Sequence, residues 1–536
     1  MKHQTNPPKF KTVREMLLYA FSTYAERIGV KVKETDDTVK GITFQTFGYD
    51  VFYAAEQLKE YRECHIGMLT DFNYAWLVFF CAVLMTGNTA VLMNPELSAQ
   101  ENATKLKKTD VSLLLCDSHT LSVMHDCTET GSIAAIDISG FAHASEQFSP
   151  VQCETAPDDI CIILFTSGTT GESKAVQLSN ENILNDLEGC FYLIGKELNP
   201  NHPTSNMTVL PPYHAYQVTV CLFFQIAYGG CICIAENVRY FADDLKLFRP
   251  GALVLVPIIV EMMYKRVQIS VKKLGKQQQL ERAIRLGRIL RRVGIDLRRK
   301  IFSEILDGFG GNLSVIHCGG APLDEKYVQF FDDIGIGLYF GYGISECSPV
   351  LACNTPDDRK AGSVGKLIPS EYVTVKIENG EILVKGKIVS CGYYQNQEAN
   401  ADAFSDGWFR TGDLGRIDED GFLFITGRKK NLIILSNGEN VSPEILEEQL
   451  LQHPEIKEVL VKEKTLKSGV CVIAADVLPN AELSSLAGLD DAQVESVILS
   501  IINDTNNANP AFMKIEDTTV LKTALPKNAL GKVLRH

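Results

Sequence analysis

Residues 161–176 read Cys-Ile-Ile-Leu-Phe-Thr-Ser-Gly-Thr-Thr-Gly-Glu-Ser-Lys-Ala-Val. The apolar run Ile162–Phe165 predicts a buried strand. Thr166, Ser167, Gly168, Thr169, Thr170 and Gly171 follow it, and then one lysine, Lys174. Small hydroxyl residues and glycines let a backbone approach phosphate oxygens closely and donate hydrogen bonds to them. Lys174 adds a mobile point charge. The P-loop pattern G-x-x-x-x-G-K-[ST] is not met, because no Gly-Lys pair follows Gly168 at the required distance. Such a run is either a phosphate cradle or a surface loop.

Outward from this stretch, the chain alternates helical and strand-like segments. Residues 11–30 read as an amphipathic helix. Ala90–Met93 and Val111–Cys116 read as strands, and Ser149–Asp159 as a polar loop leading into the strand at 162. The alternation predicts an α/β fold of layered sheets and helices with a largely parallel sheet. Residues 180–195 read as a helix. Val209-Leu210 then runs into Pro211-Pro212-Tyr213-His214-Ala215-Tyr216, where two prolines end a strand and fix a turn. His214 is either structural or a wall of a pocket at that turn.

At 536 residues the chain is long enough for more than one domain. Its 45% hydrophobic and 22% charged content fits a globular protein, and its net charge of −14 argues against general nucleic-acid binding. The 15 cysteines are scattered, several in apolar runs, with no C-x-x-C pair. That pattern reads as free thiols in a reducing compartment. The N-terminus lacks the apolar core of a signal peptide. The longest apolar run, Ala75–Met85, is too short to span a bilayer and reads as a buried helix. A cytoplasmic protein is expected, with at most peripheral membrane contact.

One segment departs from the acidic background. Residues 272–300 hold 11 Lys/Arg against 2 Asp/Glu, with Leu280, Ile284, Ile289, Leu290 and Val293 at helical spacing. This is either a solvated helix face or a docking surface for phosphates, an acidic carrier protein or a membrane.

From residue 311 the motifs crowd. Leu313–His317 reads as a strand ending in Cys318-Gly319-Gly320-Ala321-Pro322. Ile336–Phe340 reads as another, ending in Gly341-Tyr342-Gly343-Ile344-Ser345-Glu346. The glycines permit close approach of a planar base, and Tyr342 can stack on it. Glu346 is a hard oxygen ligand suited to Mg2+, or else a surface carboxylate. Residues 361–428 alternate as a small β-rich subdomain. After Gly427-Arg428-Lys429-Lys430-Asn431 comes a compact tail with a helix at 443–452 and strands at 457–463 and 470–477. A boundary at Asn431 gives an N-terminal domain, 1–430, and a small α+β C-terminal lid, 431–536.

Together the 161–176 loop, GYGISE, the Thr411-Gly412-Asp413 turn, Thr426-Gly427-Arg428-Lys429-Lys430 and the terminal Pro526-Lys527-Asn528-Ala529-Leu530-Gly531-Lys532 resemble the adenylate-forming superfamily. That superfamily includes acyl-CoA synthetases, peptide-synthetase adenylation domains and luciferases. The resemblance covers about residues 15–535 and implies ATP-dependent activation of a carboxylate. It implies that Glu346 and Thr166 bind the metal and that Asp413 and Arg428 clamp the ribose. Lys532 would be the catalytic lysine, and His214 would border the acyl pocket. The lid would rotate about Asn431, withdrawing Lys532 and bringing Gly438-Glu439-Asn440-Val441 to a pantetheine channel. The family usually has aspartate at the hinge and threonine where Ser345 stands. The stretches around Val256–Glu261, GIDLRRKIF and GRKKNLIILSNGENVSPEILE look most like bacterial long-chain fatty acid–CoA ligases. ATP, Mg2+, CoA and a fatty acid are therefore the expected ligands. The alternatives are a medium-chain or aryl acid loaded onto an acyl carrier protein, and a nucleotide-binding regulator without turnover.

Overall fold

In a computed structural model, the described residues are 7–125, 133–166, 173–195, 204–235, 238–435, 440–465, 471–481, 483, 485–526, 533 and 535. The chain divides into two compact units, Met1–Thr374 with Val384–Phe409, and Val375–Leu383 with Arg410–His536.

Among the described residues, the first unit is built on two large sheets. One has six strands, in the order 134–137, 111–116, 65–69, 89–92, 160–166 and 174–179. The first five run parallel, and Lys174–Ser179 closes the edge antiparallel to Ile160–Thr166. The other has nine strands. Its centre, in the order 337–343, 315–318, 252–255, 205–208, 231–234 and 28–33, is parallel throughout. Parallel strands are covered on both faces, so they read as unbroken apolar runs. Ala252–Leu255 and Cys231–Ile234 are buried at every position.

The apolar run at 75–85 is the buried helix Tyr74–Met85, started by Asn73, whose side chain accepts from the Trp76 N–H. Trp76 stacks on Phe80 at 4.9 Å and Phe80 on Phe223 at 5.6 Å. No helix among the described residues is long and apolar enough to cross a membrane. The cysteines described are free thiols. The N-terminal helix is shorter than its pattern suggests. It ends at Thr23, and Ile28–Lys33, rich in β-branched residues, joins the nine-stranded sheet.

The basic helix Gln277–Arg292 is tied to its neighbour by two half-exposed arginines. Arg288 pairs with Asp333, and Arg291 with Asp332, each at 2.5 Å. Leu286, Ile289 and Val293, spaced three and four apart, are 50%, 59% and 68% exposed.

In the second unit, the strands Ile456–Thr465, Cys471–Pro479 and Ile515–Val520 form a sheet. The helices Pro443–Leu451 and Asp491–Ala508 cover it through Leu446, Ile498 and Ile502. The second helix has a capping box at Asp490 and Gln493.

Candidate active site

The 161–176 stretch forms a hairpin. Thr166 stands opposite Lys174 in the antiparallel register. Ser167, Gly168, Thr169 and Thr170 lie outside the described residues. Lys174 is held at the loop's foot, its Nζ 4.7 Å above the ring of Tyr393, an attractive cation–π distance. Tyr393 belongs to a strap laid along the outer edge of the hairpin. Gln177 N–H donates to Gly392 O at 2.9 Å, Cys391 N–H to Gln177 O at 3.0 Å, and Tyr394 N–H to Ala175 O at 2.8 Å.

The same tyrosine reaches Glu346. Its Oη donates to Glu346 Oε1 at 2.9 Å, and the Glu346 backbone carbonyl accepts from the Ser390 N–H at 2.8 Å. Glu346 sits in the single turn Ser345–Cys347, which packs on the strand Lys174–Ser179. Burial, and then the Glu346 charge, hold the Tyr393 phenol well above its ordinary range, so it remains a donor. One buried tyrosine therefore joins the candidate metal ligand to the candidate phosphate lysine. Carboxylate and hydroxyl oxygens from Glu346 and Thr166 fit Mg2+, which takes few protein ligands and fills its shell with water and substrate phosphates. No cluster of three potential ligands occurs among the described residues.

The glycine motifs differ from their sequence reading in one respect. The strand Gly337–Gly343 continues through Gly341, Tyr342 and Gly343 and turns back antiparallel as Val350–Cys353. A Cβ on Gly343 would lie 2.1 Å from the Pro349 carbonyl oxygen, so the tight hairpin itself requires glycine there. Gly320 follows the strand Val315–Cys318 with φ +88°, a conformation that side chains resist. Ala321 and Pro322 lead on to the helix Glu325–Asp333, capped by Asp324.

His214 precedes the π-helical segment Gln217–Phe223, a winding found often at functional sites. Its ring lies 4.8 Å from that of Tyr213. Burial pushes the His214 imidazole down to about 4, so it is neutral near pH 7. It can serve as a flat wall but not as a cation.

The second unit holds the other predicted pair. Asp413 and Arg428 face each other across adjacent strands, with Asp413 Oδ1 2.7 Å from Arg428 Nε. Asp413 is only 2% exposed, and its N–H donates to Thr411 Oγ1 at 3.0 Å. A second carboxylate of this unit, Glu381, takes Arg410 at 2.5 Å and Lys429 at 3.0 Å. Asn431 Nδ2 donates to Glu444 Oε1 at 2.5 Å, and Ser442 Oγ to Glu444 Oε2 at 2.7 Å. Gly438 and Lys532 lie outside the described residues. Three residues beyond Lys532, Arg535 is anchored to the Val461 carbonyl at 2.8 Å and paired with Glu447.

Sequence reasoning singled out Thr166, Lys174 and Glu346, which the structure gathers, but not Tyr393, which gathers them. The available signal was the Cys391-Gly392-Tyr393-Tyr394 string between two β-like segments, an aromatic pair with no periodicity of its own.

Comparison with known proteins gives the family. The family described as AMP-binding enzyme matches residues 23–394, and that described as AMP-binding enzyme C-terminal domain matches residues 430–536. A long-chain-fatty-acid–CoA ligase, FadD15, of Mycobacterium bovis is 30% identical over 429 residues, 73% of this chain and 69% of its own. Long-chain-fatty-acid–CoA ligase 6 of Mus musculus is 32% identical over 346 residues, 60% of this chain and 49% of its own. Among solved structures, ATP-bound MatB from Rhodopseudomonas palustris superposes with a TM-score of 0.75 at 20% identity, covering 97% of each chain. O-succinylbenzoate CoA synthetase (MenE) from Bacillus subtilis, in complex with ATP and magnesium, gives 0.73 at 22% identity, over 97% of this chain and 98% of its own. The two solved structures bear on the fold alone.

Proposed function

Because the chain belongs to the AMP-binding enzyme family, we propose that it is an AMP-forming acid–thiol ligase that activates a long-chain fatty acid with ATP and passes the acyl group to CoA. The observation that carries this reading is the Lys174–Tyr393–Glu346 chain at the foot of the phosphate hairpin.

Adenylation requires the acid's carboxylate to attack the α-phosphate while pyrophosphate leaves, so charge grows on the phosphate oxygens. The hairpin N–H groups and the Lys174 ammonium are suited to receive that charge. Glu346 and Thr166 would hold Mg2+, whose chemistry there would be Lewis-acid polarisation of phosphate oxygens. Tyr393 keeps the Glu346 carboxylate turned to one side. The segments Gly320-Ala321-Pro322 and Gly341-Tyr342-Gly343 border the adenine, and Ser345 adds a hydroxyl beside the phosphates. Asp413 accepts both ribose hydroxyls and Arg428 orients it, as an acidic residue does in dinucleotide sites. Lys532 bonds the carboxylate and α-phosphate during adenylation. Residues 431–536 act as a lid hinged at Asn431, and Gly438 lies on the segment that meets pantetheine in the second step. We place the enzyme in the cytoplasm.

Acid-dependent pyrophosphate release, measured for straight-chain acids from butanoate to octadecanoate and for benzoate-type acids, with and without CoA, tests the reading. A long-chain optimum with turnover stimulated by CoA is expected. An adenylate burst that CoA does not stimulate refutes CoA as acceptor and favours an acyl carrier protein. The arginine-rimmed helix Gln277–Arg292 is the specific feature that would suit such an acidic partner.

A further inference from the structure

The strap that carries Tyr393 is bonded to the hairpin strand Lys174–Ser179 through the residues on either side of the tyrosine. Cys391 and Tyr394 donate their N–H groups to the hairpin, and the Gly392 carbonyl accepts from it. The backbone N–H and C=O of Tyr393 take no part in those bonds. Tyr393 is buried, and a buried backbone group without a partner is costly.

One side chain takes both groups. Asn400 Oδ1 accepts from the Tyr393 N–H at 2.7 Å, and Asn400 Nδ2 donates to the Tyr393 carbonyl at 2.9 Å. A carboxamide carries an acceptor and a donor side by side, so it can pair with the tyrosine as the peptide group of a neighbouring strand would. The Tyr393 carbonyl has one further donor, the Asn396 N–H, at a longer 3.4 Å. Asn400 lies on the short helix Gln397–Ala403, which Asn396 caps by accepting from the Ala399 N–H at 3.0 Å.

The residue before the tyrosine leaves room for this amide. Gly392 has φ +103°, and a Cβ there would lie 2.8 Å from Asn400 Oδ1. Just past the helix, the Phe404 ring stands 6.1 Å from the Tyr393 ring in edge-to-face geometry. Gly392 thus admits the amide, and the amide holds the tyrosine. The place of the Tyr393 backbone sets where its hydroxyl meets Glu346 and where its ring meets Lys174.

We propose that Asn400 is a positioning residue of the nucleotide–metal site, setting the direction of the Glu346 carboxylate through Tyr393. The proposal rests on that part of the ligase reading in which Glu346 and Thr166 hold Mg2+.

The test uses the full-length protein and follows Mn2+ binding by electron paramagnetic resonance. α,β-Methylene-ATP, which adenylation cannot cleave, is present throughout. Outer residues that orient a metal's ligands typically change its affinity by about 10–100-fold, and Asn400 acts one step further out. Asn400→Ala should therefore raise the Mn2+ dissociation constant by about three- to tenfold. Gly392→Ala, which sets a methyl group against the same amide, should do likewise, and two independent variants guard against one failing to fold. Asn396→Ala removes the cap of the same helix and is the structural control. It should lower the melting temperature and leave Mn2+ affinity unchanged. With Tyr393→Phe already in place, Asn400→Ala should add little to the loss of affinity, because the bond that it steers is gone.

A Mn2+ dissociation constant unchanged in both Asn400→Ala and Gly392→Ala overturns the proposal. So does an equal rise in Asn396→Ala, which makes the effect one of helix stability. Full additivity of Asn400→Ala with Tyr393→Phe also overturns it. The binding measurement needs no acid substrate. If the wild type binds Mn2+ with the analogue yet releases pyrophosphate with no acid, the ligase reading fails and the role of Asn400 is still decided by the variants. If the wild type binds neither Mn2+ nor the analogue, both fall.

Discussion

Tyr393 donates its hydroxyl hydrogen to Glu346 at 2.9 Å while its ring face sits 4.7 Å beneath the Lys174 ammonium. One side chain thus fixes an anion meant for a metal and a cation meant for phosphate. The arrangement works only if the tyrosine stays protonated, and its burial beside a carboxylate ensures that.

Tyr393→Phe keeps the ring under Lys174 and removes the hydrogen bond to Glu346. A hydrogen bond to a charged group contributes about 1.5–3 kcal/mol. Part of that is recovered by water, so a five- to thirtyfold fall in kcat/KM for ATP is expected, on the order of 1–2 kcal/mol. The Mg2+ concentration giving half-maximal rate should rise in step. Tyr393→Leu, which also loses the cation–π contact, should cost more. If the Phe variant shows an unaltered Mg2+ dependence, Tyr393 does not position Glu346.

Asn431 Nδ2 donates to Glu444 Oε1 at 2.5 Å. An aspartate there would set two carboxylates against each other. Asn431→Asp is therefore expected to lower the melting temperature of the protein and to slow one half-reaction more than the other. Glu444→Gln in the same chain should restore both, because an amide can donate to the new aspartate. A double-mutant cycle with no coupling would separate the two residues functionally.

The part of the site that was legible in the sequence is the part whose signal is local. The apolar run before Thr166 specifies a strand, and the small residues after it a turn, so Lys174 falls opposite Thr166 with no long-range information. Asp413 and Arg428 were flagged separately by short motifs, and an antiparallel register brings them together. Tyr393 was not legible because its partners lie 47 and 219 residues away in sequence, and nothing around it marks it as buried. The order of nine strands was equally closed to a local reading. Parallel strands that are covered on both faces carry no alternation to show which neighbours they take. For the basic segment 272–300, helical spacing was visible but its direction was not. Arg288 and Arg291 pair with Asp333 and Asp332, which end the neighbouring helix, and remain about half exposed.

His214 supplies a pH prediction. Burial lowers its pKa from 6.5 to about 4 in the folded state. Between those values the unfolded chain binds a proton that the folded chain does not. Stability should therefore fall as pH drops from 6.5 towards 4, by roughly 2 kcal/mol at pH 5 from this group. Urea melts at pH 7 and pH 5 measure the drop, and His214→Phe should reduce it. Because the imidazole is already neutral, it should also add no inflection to kcat/KM between pH 6 and 8.

Arg535 holds the end of the chain three residues after Lys532, through the Val461 carbonyl and Glu447. Burial pushes the Glu447 carboxyl up to about 7, against the pull of Arg535, so this anchor weakens as Glu447 protonates below neutral pH. Lys532→Ala should cut adenylate formation by orders of magnitude and leave thioester formation from a preformed acyl-adenylate largely intact. If Arg535 serves to present that lysine, Arg535→Ala should depress the same half-reaction, less severely, and spare the other. Single-turnover assays of the two steps distinguish this from general destabilisation, which lowers both. Equal losses in both steps for Lys532→Ala would instead mean that one arrangement of the lid serves the whole reaction.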